Sequence, residues 1–108
     1  MKKLDYTYLG EVWPITLQEK QYQNRNLAIQ MWDHDDEDGP EPFAAMTVNF
    51  GERLPKNQAY LDTNNLPGID AWVRKHRLGR PLGKERVSGF CTYPLYEFDL
   101  ARVRQYAS

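Results

Sequence analysis

Pro67-Gly68-Ile69-Asp70-Ala71-Trp72-Val73-Arg74-Lys75-His76-Arg77-Leu78 is the one stretch of the chain with a sustained helical period. Ile69, Trp72, Val73 and His76 recur at i, i+3, i+4 and i+7, which makes one apolar stripe to lay on a sheet. Pro67 suits a first turn, where a missing N–H costs nothing, with Asn65 or Leu66 preceding the helix. Asp70 complements the positive start of the helix, and Arg74, Lys75 and Arg77 its negative end. Gly79 is placed to end it as a left-handed cap. The helix is expected over about 67–78.

Upstream the period changes from 3.6 to 2. Leu4, Tyr6 and Tyr8 alternate with Asp5 and Thr7. Trp13, Ile15 and Leu17 share one face of a second strand, in which Pro14 marks an edge or bulge. Asn24-Arg25-Asn26 reads as a turn, with Asn tolerating positive φ. Leu27, Ile29 and Met31 then face one way, Ala28 and Trp32 the other. Phe43 to Phe50 is apolar on both faces and reads as a central strand, and Ala59-Tyr60-Leu61 as a short one. Downstream, Arg80 to Arg86 reads as a basic loop and Val87 to Tyr93 as a strand stopped by Pro94. Tyr96, Phe98 and Leu100 suggest a further extended segment. The expected fold is α+β: one domain, 1–108, with an antiparallel meander of about five to six strands covered by one helix.

Composition narrows the function classes. With 41% hydrophobic and 13% aromatic residues the chain has material for a core, and a net charge of −1 excludes a strongly basic or acidic protein. No apolar run reaches the ~20 residues of a membrane span. The N-terminus lacks the apolar core of a signal peptide, and a single cysteine excludes an internal disulfide. A cytoplasmic protein is expected. The charges are segregated: residues 1–62 hold 11 acids and 6 bases, residues 63–108 hold 4 acids and 8 bases. Such asymmetry bears on partners rather than on fold.

The acidic run around Asp35, Asp36, Glu37 and Asp38 fails the calcium-loop pattern. Counting from Asp33, Asp38 stands where Gly is needed and Ala44 where Glu is needed. It reads as a solvated hairpin tip with a capacity for a partner's basic patch. Cys91, His34 and His76 are too few and too scattered for a zinc site. Cys91 reads as a buried filler in mid-strand and His76 as half-buried packing, so no metal, cofactor or catalytic residue is expected. Asn49, Asp62, Asn64 and Asn65 read as a turn and capping group. The basic segment with Arg74, Arg77, Arg80, Lys84 and Arg86 lacks phosphate-loop spacing, since Glu85 follows Gly83-Lys84 where Ser or Thr is required. It remains a candidate for nucleic-acid or acidic-partner contact.

Thr47-Val48-Asn49, Asp62-Thr63-Asn64-Asn65, Ser88-Gly89-Phe90 and Tyr93-Pro94-Leu95-Tyr96-Glu97-Phe98 resemble a family of small bacterial domains of unknown function carried on phages and conjugative elements. The resemblance spans nearly the whole chain and implies an accessory protein of mobile DNA, with no catalytic residues to transfer. Some small proteins of such elements inhibit CRISPR effector nucleases, and this chain has their size. The expected function is therefore a non-enzymatic binding protein that inhibits a host defence nuclease, with a type II CRISPR effector as the partner and the acidic residues 35–38 as the contact. The alternatives are a nucleic-acid-binding accessory protein using the basic segment, and a cysteine- or metal-dependent enzyme.

Overall fold

Alternating apolar residues drive the first half of the chain into successive hairpins. The computed structural model describes residues 1–35 and 37–108. Strands β1 (Leu4–Tyr8), β2 (Glu11–Gln21), β3 (Leu27–Asp33) and β4 (Glu41–Ala45) form an antiparallel sheet in the order β1-β2-β3-β4. Leu4, Tyr6, Ile15, Leu17, Leu27, Ile29 and Met31 all point into the core. Between Met31 and Trp32 the β3–β4 register shifts, so that Met31 faces Ala44 and Trp32 faces Pro42. The extra residue, Phe43, packs edge-on against Tyr6 and Tyr8 and tilted on Trp13, as bulges that re-aim a side chain do.

A second antiparallel sheet, ordered β5-β6-β8-β7, comprises β5 (Thr47–Val48), β6 (Gln58–Leu61), β7 (Gly79–Ser88) and β8 (Cys91–Phe98). The single sheet of five to six strands is thus corrected to two sheets of four. The expected strand from Phe43 to Phe50 is divided at Met46, which is fully buried. Its N–H bonds to Ile29 in the first sheet, and its carbonyl accepts from Asp62 beside the second. The basic segment 80–86 is not a loop but part of β7, and β8 runs through Pro94. The register shifts between Pro81 and Glu85, leaving extra residues of β7 opposite Leu95, and Pro94 pairs with Glu85 at the margin of that irregularity, a place where its missing donor is tolerated.

The helix forms where its stripe predicts, but over Ile69–Lys75 (α1), with Gly68 as its N-cap. Its left-handed terminal residue is Arg77 at φ 58°, not Gly79. Leu78 N–H reaches the Val73 carbonyl and Arg77 N–H that of Arg74, the bond pair of a Schellman end. Gly79 instead begins β7, where a Cβ would stand 2.9 Å from the Glu97 carbonyl oxygen. The left-handed residue of the 24–26 turn is likewise Arg25, not Asn. A second helix, α2 (Leu100–Arg104), replaces the extended segment expected after Phe98. Asp99 caps it by accepting from Arg102 N–H at 3.1 Å, and Val103 and Tyr106 turn into the core. Beyond the end of β1, the Tyr106 carbonyl takes Leu17 N–H at 2.9 Å. No helix among the described residues is long and apolar enough to cross a membrane.

Trp72 joins α1 to the first sheet. It is 8% exposed, meets the Tyr6 ring edge-on at 5.3 Å and donates its indole N–H to the Asp5 carbonyl at 2.7 Å. Tyr6 donates its hydroxyl to the Pro67 carbonyl at 2.9 Å. Trp72→Ala is expected to cost about 3–5 kcal/mol, a large share of the ~5–15 kcal/mol that holds a domain. Lys75→Ala, on the exposed face, should change stability by no more than about 0.5 kcal/mol. Paired thermal melts check this, and equal small effects would contradict the two-layer packing.

Burial, and secondarily Tyr8, push the Tyr6 hydroxyl up to about 12, against an ordinary tyrosine value of ~10. The unfolded chain ionises first, so this contribution to stability is full below pH ~10 and is lost as pH rises towards about 12. In Tyr6→Phe, denaturant midpoints measured across that window should start lower and fall less steeply than in the unchanged protein.

Candidate functional site

One end of the first sheet gathers two loops. The β1–β2 turn consists of Leu9 and Gly10, at φ 52° and 80°, the two positive values of a type I′ hairpin. Asn-Gly is the usual choice there because a left-handed backbone crowds a Cβ. Leu9 nonetheless occupies the strained position and is 82% exposed, with Val12 close by at 60%. The sequence reading missed this feature, although a Leu preceding a hairpin Gly is a visible departure from turn chemistry.

The β3–β4 connection lies at the same end. Asp33, Asp35, Glu37, Asp38 and Glu41, with Trp13, line an open pocket of about 520 Å³, and among the described residues no Lys or Arg is part of that lining. Asp33 accepts from Asp35 N–H at 2.8 Å and so shapes the loop. Asp35, Glu37 and Asp38 are exposed; Asp36 lies outside the described residues. The indole N–H of Trp13 is buried without an acceptor among the described residues, an expensive state for a donor. His34 is used locally, 2.7 Å from the Thr16 hydroxyl.

The basic candidates separate into two groups. Arg74, Arg77 and Arg80 line a cleft of about 930 Å³ between the end of α1, the start of β7 and α2, together with Lys56 and Arg104. Lys56 comes from the loop before β6 and Arg104 from a helix not foreseen, so no local pattern announced either. Lys84 and Arg86 stand elsewhere on β7, 3.2 and 3.8 Å from Glu52. Arg86 also lies 4.8 Å over the Phe50 ring. Hydrogen bonds from Tyr60 and Lys84 hold the Glu52 carboxyl below its usual range, and burial with the Glu52 bond pushes Tyr60 up. These two cations therefore serve the face of the second sheet.

The other candidates remain dispersed. Asn49 bridges Asn24 and Asn26 at 3.3 and 3.1 Å, tying one loop to another. Asp62 instead accepts from the Asn65 backbone and side chain at 3.1 and 2.9 Å. Cys91 is half-buried and opens β8 rather than filling its middle. His76 packs 5.2 Å from Trp72, and burial and the neighbouring Lys75 and Arg102 lower its affinity for a proton. Among the described residues no group of His, Cys, Asp and Glu is arranged to hold a metal ion.

The molecule is an antiparallel two-sheet α+β scaffold with an acidic end and a separate basic cleft. The chain belongs to the family described as Domain of unknown function (DUF4313), whose model matches residues 16–108. No curated protein and no solved structure matches it.

Leu9→Asn restores the favoured Asn-Gly pair and should stabilise the fold by about 1 kcal/mol. A thermal melt reads the gain, and an unchanged or lowered midpoint would show that Leu9 is not strained.

Proposed function

We propose that this chain is a non-enzymatic binding protein that docks its acidic end onto an Arg/Lys-rich surface of a partner protein and blocks it. The observation that carries this reading is that one sheet end bears both the exposed carboxylates Asp35, Glu37 and Asp38 of the β3–β4 connection and the exposed apolar residues Leu9 and Val12 at the β1–β2 turn. An apolar centre with a charged rim is the anatomy of a protein interface, the apolar part supplying affinity and the charges steering and register. Arg/Lys-rich channels are the means by which nucleases hold nucleic acid. The proposed target is accordingly a host defence nuclease, in particular a type II CRISPR effector, which accords with the mobile-element resemblance of the motifs.

Cleavage of a matched DNA target by purified type II effector, titrated with this protein, tests the proposal. Inhibition is expected, and it should weaken as salt screens the charges. Changing Asp35, Asp36, Glu37 and Asp38 together to Ser should leave the melt intact and raise the half-inhibitory concentration about 10- to 100-fold, at ~0.2–1 kcal/mol per exposed charge. Undiminished inhibition by that variant would remove the acidic end from the interface. Uninhibited cleavage by the unchanged protein would remove the nuclease as target.

A further inference from the structure

We infer that the basic cleft is a second binding site, independent of the acidic end, that takes the phosphodiester backbone of single-stranded nucleic acid. The cations there are of two kinds. Arg80 places Nε and Nη2 on Glu97 at 3.1 and 2.9 Å, and Arg104 places Nε and Nη2 on Glu19 at 2.7 and 3.1 Å. Each guanidinium is thereby oriented, and among the described residues its Nη1 makes no hydrogen bond. Arg74 donates to the Tyr96 hydroxyl at 3.0 Å. Planar forks oriented in this way suit tetrahedral phosphate oxygens. Lys56 and Arg77 make no ion pair within 4.0 Å among the described residues. Behind the Arg104 hydrogen bond, Lys56 helps hold the Glu19 carboxyl low, and Arg77 offers the less committed charge to a ligand.

Arg77 carries a further sign. It holds the left-handed position at the end of α1, where Gly is the ordinary and unstrained residue. A cation is kept there against the backbone's preference, at the mouth of a cleft whose other cations come from remote parts of the chain. Five cations line the cleft, three of them paired, Arg74 with Asp70, Arg80 with Glu97 and Arg104 with Glu19, and the carboxylates in the lining itself are Glu97 and Asp99. Both carboxylates are engaged, Glu97 with Arg80 and Asp99 with the start of α2.

The cleft is open, with a volume of about 930 Å³, room for one or two nucleotides. Pro81 and Leu100 contribute apolar wall, while Phe98 behind them is buried in the core. An unpaired base or sugar can lie on that wall while the cations take the phosphates, which a base stacked inside a duplex cannot do.

Fluorescence polarisation of a labelled oligo-dT strand, measured over a salt series, tests the inference. Binding is expected at low salt, with a log–log salt slope that falls by about 0.7 for each phosphate contact removed. Lys56→Ala should weaken binding about 3- to 10-fold and lower the slope. Arg77→Gly should do the same while raising the melting temperature by about 4–8 °C, so its loss of binding cannot be ascribed to unfolding. The double variant Lys84→Ala, Arg86→Ala should bind as the unchanged protein does, because those cations lie outside the cleft. The inference is overturned if no polarisation change appears at low salt or if Arg77→Gly binds undiminished. It is equally overturned if the double variant alone loses binding, if duplex DNA binds as tightly, or if inorganic phosphate competes equally per phosphate. The four-serine acidic variant should retain oligo-dT binding, which separates the fate of this site from that of the protein-docking reading.

Discussion

The indole of Trp72 and the phenol of Tyr6 form a reciprocal tie on which the rest of the architecture depends. Each ring is packed against the other, and each donates its polar hydrogen to the backbone of the other's neighbourhood, Trp72 to Asp5 and Tyr6 to Pro67. The partners in the Trp72–Asp5 bond are 67 residues apart in sequence. Through this tie β1, the outer strand of its sheet, also supports α1. Val73 and Ile69 are then held against the interior, where they meet Leu61 and Phe98 of the second sheet in the same core. Tyr and Trp suit the task because each brings a large apolar body and a single donor that can be fully satisfied inside.

Around that core the molecule keeps its charges apart. Acidic residues of the first half gather at the β3–β4 end, and the cleft draws Lys56 from the first half to join Arg74, Arg77, Arg80 and Arg104. Among the described residues three that are not glycine adopt a left-handed backbone: Leu9, Arg25 and Arg77. Two of these stand at the two surfaces proposed to bind. Residues held in sparsely populated conformations tend to collect where function is served, and here an exposed Leu and a cation occupy positions that Asn or Gly would fill more comfortably.

Local periodicity made the meander and α1 readable. The alternation through Leu4–Tyr8, Trp13–Leu17 and Leu27–Met31, and the stripe Ile69, Trp72, Val73 and His76, each report one face of one element. What escaped depended on competition between patterns or on distant contacts. Tyr96, Phe98 and Leu100 alternate like a strand, yet the capping carboxylate of Asp99 turns the chain into α2, and Val103 and Tyr106 supply the helical spacing beyond it. Pro94 signals a break, yet it sits within β8 opposite Glu85, at the margin of the irregular stretch of β7 and beyond the residues that pair with β6. Gly79 resembles a helix terminator, but its missing Cβ serves the close approach to β8, and the cap falls on Arg77. The acidic loop was visible as a run of like charges. The cleft was only partly visible, because Lys56 and Arg104 reach it through tertiary structure.

The division of one extended segment at Met46 bears on solubility. A sheet ends in unpaired backbone groups, which invite other chains to add strands. Here β4 and β5 are consecutive pieces of one run, five and two residues long, so neither sheet offers a long ladder where the two meet. Of the outer edges, β1 has only five residues, and the part of β2 that it leaves uncovered is engaged by Tyr106. The remaining edge, β7, is irregular between Pro81 and Glu85 and carries exposed Arg80, Lys84, Glu85 and Arg86. A chain with about half of its residues in strands is thereby left with few long, regular edges for intermolecular β-pairing, and the division that joins its two sheets also shortens the edges it creates.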